Sequence, residues 1–237
     1  GLASERVDWS RTGWIAFTRA GDVQVWKIKA NGDSITQLTA GSQTSVLQCW
    51  SPDGKYFVSQ RSFGPYPESG LVICTAAGAF VRLLPDASTR AYPGTVDWSP
   101  DGRRLAYVGG PSTSSTDPRL CLYDLMTDQL DTLDVLPSGS TSYFGLRWLP
   151  NGTEVVWDGP EGISLTDVTT GRTRLVRTHC PGSSRGLGLP DVSPDGQQLL
   201  MGRSERRLTP GQQNYITERY WLETCNLRGT QIQRVTP

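Results

Sequence analysis

The chain has 237 residues in which 23 basic and 23 acidic side chains cancel, so no overall field draws it to nucleic acid or to an anionic membrane surface. Eight Trp against two Met, with 26 Gly and 16 Pro, suits many tight turns between aromatic-rich strands. No apolar run approaches the ~20 residues of a spanning helix, and the five cysteines (Cys49, Cys74, Cys121, Cys180, Cys225) contain no C-x-x-C pair that would spell a zinc knuckle or a thioredoxin-type redox site.

Taken in order, the segments repeat. The first unit reads "VDWS", a turn, "WIAFTR", a turn, "DVQVWKI", the turn "ANGD" and "SITQLT". "VLQCW", "KYFVSQ", "GLVICTA" and "AFVRLL" form the second, and "TVDWS", "RLAYVG", "RLCLYDL" and "LDTLD" the third. The fourth has "GLRW", "EVVWDG", "ISLTDV" and "RTRLV", and the fifth "PDVS", "QLLMG", "ITERYWLETCNL" and "QIQRVT". Each piece is short, rich in Val, Ile, Trp and Thr, and bounded by Gly, Asn, Asp or Pro, as antiparallel strands are. The anchors Trp9, Trp50, Trp98, Trp148 and Val192 follow one another at 41, 48, 50 and 44 residues, and nowhere is a helical period sustained.

A four-stranded unit of this period is a propeller blade, whose two faces are buried only when blades stack around an axis. The expected fold is therefore all-β: one five-bladed β-propeller domain over 1–237, with four-stranded antiparallel blades near 7–40, 46–85, 94–135, 144–177 and 190–236. Each anchoring Trp is expected between blades, where ~150–250 Å² of buried ring surface contributes several kcal/mol at roughly 25 cal/mol per Å².

The "WSPDG" of Trp50–Gly54 and Trp98–Gly102, followed by an apolar strand and a closing "LT"-type strand, resembles the PD40 repeat of TolB-like propellers, relatives of the WD40 unit. The resemblance extends over all five units and weakens at Trp9, where Arg11 and Thr12 stand in place of Pro and Asp. It implies the propeller fold and a periplasmic, secreted or cell-surface bacterial setting. TolB-like propellers usually have six blades behind a separate α/β domain, whereas five units are present here.

Candidate chemistry is sparse. "GSSRG" at Gly182–Gly186 matches G-x-S-x-G around Ser184, with His179 upstream, but it lies in a Gly- and Pro-rich connection rather than the strand, turn and helix of a nucleophile elbow. Asp53, Asp101 and Asp195 hold the same turn position in different blades and so should not converge on one bond. In "WSPDG", Pro presets the turn, Asp bonds its own backbone and Gly takes the left-handed position. Asn151 fills the same turn position rather than acting as a glycosylation acceptor. One histidine excludes a His-cluster metal site, and no D-x-D-x-D-G loop spells calcium. No cofactor, metal or catalytic residue is therefore assigned.

Loop length points elsewhere. Connections from first to second and third to fourth strands are uniformly tight. The long ones join second to third strands (61–70, 109–118, 204–215) or one blade to the next (85–94, 136–145, 178–190). Long surface loops cost little stability and commonly carry binding residues, and these concentrate the Tyr and Arg that dominate interfaces. The expected partner or ligand site is Arg61, Phe63, Tyr66, Arg90, Tyr92, Tyr143, Phe144, His179, Arg185, Arg206 and Tyr215. The sequence thus reads as a monomeric, non-enzymatic module for a protein or small-ligand partner, without nucleic acid binding or membrane insertion. Two other readings are the accessory propeller of a larger peptidase-type enzyme and a carbohydrate-binding or carbohydrate-active propeller.

Overall fold

A computed structural model of the chain describes residues 7–63, 69–85, 87, 95–109, 119–135, 144–159, 161–178, 190–208 and 215–236. Every regular element among them is a β-strand. Blade 1 is β1 (Val7–Trp9), β2 (Trp14–Arg19), β3 (Gln24–Lys29) and β4 (Thr36–Gln37). Blade 2 is β5 (Ser45–Trp50), β6 (Tyr56–Ser62), β7 (Ser69–Thr75) and β8 (Phe80–Leu83). Blade 3 is β9 (Val96–Trp98), β10 (Arg104–Gly109), β11 (Arg119–Asp124) and β12 (Gln129–Val135). β13 (Phe144–Trp148), β14 (Glu154–Asp158), β15 (Gly162–Asp167) and β16 (Thr173–Thr178) make blade 4. β17 (Asp191–Val192), β18 (Gln198–Leu208), β19 (Tyr215–Asn226) and β20 (Gln233–Arg234) make blade 5. In each blade the four strands lie in sequence order and pair antiparallel. The chain is thus all-β, with five propeller blades of the expected make.

The residues divide into two compact units, Gly1–Ser138 with blades 1 to 3 and Gly139–Pro237 with blades 4 and 5. In the first unit one apolar core joins blade 1 to blade 2 through Ala16, Val25, Leu47, Trp50, Phe57 and Val72. A second joins blade 2 to blade 3 through Val58, Leu71, Ile73, Trp98, Leu105 and Tyr107. Blades 4 and 5 of the second unit share Val156, Ile163, Leu165, Leu199, Met201 and Cys225. All these cores are built by strand alternation, every second residue of each strand turning to the neighbouring blade.

The tryptophan anchors behave as expected with one exception. Trp50, Trp98 and Trp148 are 6%, 5% and 6% exposed, but Trp9 is 64% exposed and Val7 beside it 59%. The expectation that Trp9 is a buried anchor is corrected. Trp50 is covered by blade 1 and Trp98 by blade 2. The indole N–H groups of Trp50 and Trp98 have no hydrogen-bond acceptor among the described residues, so apolar contact is what holds them.

The "SPDG" turns are architecture. Ser51 Oγ donates to Asp53 Oδ1 (2.7 Å), which also accepts the Lys55 N–H (3.0 Å), while the Gly54 N–H returns to the Ser51 carbonyl (2.9 Å). Ser99 with Asp101 and Ser193 with Asp195 repeat the pattern at 2.5 and 2.6 Å. The serine hydroxyl first, then a backbone N–H, holds the Asp101 and Asp195 carboxyls below their usual range. Asn151 accepts the Thr153 N–H in the same place (3.0 Å).

A second class of turn sets the spacing between blades. Gly78, between β7 and β8, has φ +93, and a Cβ there would lie 1.8 Å from the Leu38 carbonyl oxygen at the outer edge of blade 1. Gly229, between β19 and β20, meets the Val176 carbonyl of blade 4 at 1.9 Å in the same way. At the matching Gly32 of blade 1 (φ +89) there is nothing within 4 Å.

Candidate functional site

The apolar core between blades 4 and 5 changes character toward the ends where second strands stop and fourth strands leave for the next blade. Along β18, Leu199, Met201 and Arg203 turn to blade 4 in alternation and all three are buried. Opposite them in β19, Cys225 pairs with Leu199, Glu223 with Met201 and Trp221 with Arg203. Blade 4 contributes Val156 and then Asp158 from β14, and Arg177 and Thr178 from the end of β16. Strand alternation therefore places charged residues on the faces, and at the depth, where apolar ones would continue the stack.

These charges are bonded. Arg177 Nε donates to Glu223 Oε1 (3.0 Å), and Arg203 Nε lies 3.2 Å from the same oxygen. Arg203 Nη1 donates to the Thr178 carbonyl (2.8 Å), and Trp221 Nε1 donates to Glu223 Oε2 (3.3 Å). The Arg203 and Glu223 side chains are only 8% and 5% exposed. Asp158 is 3% exposed; burial pushes its carboxyl up to about 8, against the opposing pull of the Arg203 guanidinium. At neutral pH it is mainly protonated. Burial also raises the Cys225 thiol, with Arg177 acting against that shift and Glu223 with it. A buried ion pair of this kind gives little net stability, because desolvation offsets the attraction, but removing one partner is costly. Its effect is to fix how β18 and β19 sit against blade 4.

From this anchor the two longest strands among the described residues run on. β18 has 11 residues and β19 has 12, whereas their neighbours β17 and β20 have 2 each. β17 pairs only with Leu199 and Leu200, and β20 only with Glu223 and Thr224. The β18–β19 ladder nevertheless continues to Leu208 opposite Tyr215. At about 3.3 Å per residue, Arg203 to Leu208 carries a two-stranded arm roughly 20 Å past the neighbouring strands.

The expected binding residues distribute unevenly over the described structure. Arg206 and Tyr215 lie on the backbone of this arm, and Phe144 pairs in register with Asp158 at the start of β13. Arg61 closes the far end of β6, where its Nε donates to Ser45 Oγ (3.3 Å). Phe63 follows it, 39% exposed, with its carbonyl accepting from Gln43 Nε2 (3.3 Å). Tyr66, Arg90, Tyr92, Tyr143, His179 and Arg185 lie outside the described residues, as does the Ser184 segment. Among the described residues no three His, Cys, Asp or Glu side chains are grouped to hold a metal.

Asp158, Arg177, Arg203 and Glu223 were not among the expected residues. The signal was a charge at an alternating core position, Leu199, Met201, Arg203 on one strand and Cys225, Glu223 on its partner. A search directed at loops passes over strand interiors.

No protein-family model matches the chain. WD repeat-containing protein WRAP73 of Mus musculus is 25% identical over 205 residues, 84% of this chain and 41% of that protein, so the chain spans about two fifths of the curated relative it matches. A structure assigned to TolB from Agrobacterium tumefaciens superposes with a TM-score of 0.69 at 16% identity, covering 98% of this chain and 80% of that one. TolB from Acinetobacter baumannii gives 0.67 at 18% identity, over 95% of this chain and 53% of that one. The repeats are TolB-like, WD40-like propeller blades. An oligogalacturonate lyase in complex with manganese superposes similarly, TM-score 0.64 at 17% identity over 96% of this chain and 63% of that one. A TolB-like blade is thus shared by proteins of different activity, and likeness at these identities shows the fold alone.

Proposed function

We propose that the chain is a non-enzymatic binding module that engages a protein partner through the blade ends carrying its long connections. The observation that carries this reading is the β18–β19 arm: a ribbon that outruns both neighbouring strands, rooted in a buried Arg177–Glu223–Arg203 network. Such a ribbon adds reach, and an ionic root fixes its direction. By resemblance to TolB propellers, the setting we propose is periplasmic, secreted or at the cell surface of a bacterium.

Affinity capture from extracts of the native host tests the proposal. Wild type is compared with a Tyr66→Ala, Arg90→Ala, Tyr92→Ala triple variant, with an arm-shortened variant in which an Asn-Gly turn replaces residues 204–220, and with Arg103→Ala as a control on a tight turn. A species held by wild type and Arg103→Ala but released by the triple or arm variant is the expected result. Equal retention by all four would remove these blade ends from consideration.

A further inference from the structure

We propose that blade 5 of a second copy of this chain packs on blade 1, making one more blade-to-blade joint of the kind each unit already contains. Blade faces carry this inference, independently of the long connections. The existing joints define the parts. In blade 1, Asp8 accepts the N–H of its own anchor Trp9 at Oδ1 (3.0 Å) and that of the next anchor, Trp50, at Oδ2 (2.6 Å). Toward the outer edge the Leu38 N–H donates to the Val25 carbonyl (2.8 Å), and both side chains enter the core shared with Trp50. Leu84 and Leu71 repeat this pair in the core shared with Trp98. All four are at most 7% exposed.

Blade 1 offers the receiving half of a further joint. Its register sets Trp9 beside Ile15 and Ile28, and Val7 beside Phe17 and Trp26, on the opposite face from Ala16 and Val25. Blade 2 meets blade 1 with the matching set, Trp50 beside Phe57 and Cys74, then Val72. On blade 1 this face is still wetted, Trp9 at 64% and Val7 at 59% exposure.

Blade 5 offers the complementary half. Asp191 precedes its anchor as Asp8 does and accepts the Val192 N–H at Oδ1 (3.0 Å), with Arg147 Nε 4.0 Å from the same oxygen and the side chain 70% exposed. The Val235 N–H donates to the Leu222 carbonyl (2.8 Å), as Leu38 does to Val25. Yet Val235 and Leu222 are 54% and 40% exposed, where their counterparts are buried. The turns agree. Gly78 and Gly229 abut the Leu38 and Val176 carbonyls of the blades before them, and Gly102 and Gly196 face Pro52 and Pro150. Gly32 (φ +89) and Gly13 (φ +84) hold those turn positions in blade 1, while Val235 and Pro194 hold the partner positions in blade 5. One molecule thus presents both halves to solvent, each the complement of the other, and the occupant they specify is a second copy in a head-to-tail contact.

Sedimentation velocity of the wild-type protein over a concentration series tests the proposal. Expected results are a mass of two copies or more, rising with concentration, and iodide quenching of Trp9 that falls as association proceeds. Trp9→Arg or Val235→Arg should each weaken self-association by about thirtyfold or more, as loss of an interface anchor does. Mixed together, the two variants should form a one-to-one heterodimer, because each keeps the face the other has lost; circular dichroism checks that both are folded. The Tyr66→Ala, Arg90→Ala, Tyr92→Ala variant should associate like wild type, which separates this joint from partner binding through the long connections. A wild-type protein that stays monomeric at every concentration would overturn the proposal without recourse to any variant; Trp9 shielded from iodide in that monomer would show that the same chain covers it. Association that survives both folded arginine variants, that mixing them does not restore, or that only the triple variant abolishes would overturn it equally.

Discussion

Asp158→Asn should abolish a loss of stability that the wild-type protein suffers between about pH 5 and 7. Burial holds the folded pKa of Asp158 at about 8, above its ordinary value of 3.8. Between those limits the folded protein keeps a proton that the unfolded chain has released, so raising the pH favours unfolding. The full effect is roughly tenfold in the folding equilibrium for each pH unit, or about 3 kcal/mol from pH 5 to 7. Other groups act in different windows. Asp22, Asp53, Asp101, Asp124, Asp167 and Asp195 have depressed pKa values, so their contribution is present above the ordinary carboxylate range and lost only as pH falls below it. The thiols of Cys74 and Cys225 are raised and matter only in alkali. Urea unfolding of wild type and variant at pH 5, 6 and 7 and constant ionic strength, followed by tryptophan emission, measures the difference between them. Asp158→Asn should gain about 3 kcal/mol on wild type over the series. Parallel pH profiles would refute the reasoning and show that the Arg203 charge, not burial, governs the carboxyl.

Glu223→Gln leaves Arg203 and Arg177 without their carboxylate and should cost about 3–5 kcal/mol, with the double replacement Arg203→Met, Glu223→Leu recovering most of it; a loss under ~1 kcal/mol in urea titration would mean the pair is solvated. Gly78→Ala and Gly32→Ala share a positive-φ cost of roughly 1–2 kcal/mol, but only at Gly78 does the new methyl meet a neighbouring blade. Gly78→Ala should therefore cost about 1–3 kcal/mol more in thermal or urea unfolding, and equal losses would show that the turn yields freely.

Much of the fold was legible because it is written several times over. "WSPDG" names a turn by its backbone demands, and the Ser–Asp–backbone contacts at Ser51, Ser99 and Ser193 are what those letters describe. Short runs rich in Val, Ile, Trp and Thr between turn residues marked the strands, including the "ITERYWLETCNL" segment within which β19 lies. What escaped is whatever depends on a blade's surroundings. Trp9 carries the same anchor residue as Trp50, yet one is 64% exposed and the other 6%. The ionic root is subtler, because Arg203 and Glu223 lie 20 residues apart and become partners only through the β18–β19 register. The arm was expected as a loop over 204–215; the strands continue to Leu208 and resume at Tyr215 because the ladder needs no third strand to propagate its own hydrogen bonds.

The exposed Trp9 has an optical consequence. Of the eight indoles, Trp50, Trp98, Trp148 and Trp157 are buried and Trp14, Trp26 and Trp221 half-buried, leaving Trp9 the one mostly in water. Dissolved iodide should quench this residue before the others, and the quenched part of the emission should lie to the red of the rest. A blue shift with loss of quenching then reports, without a label, that something has come to lie against the first blade.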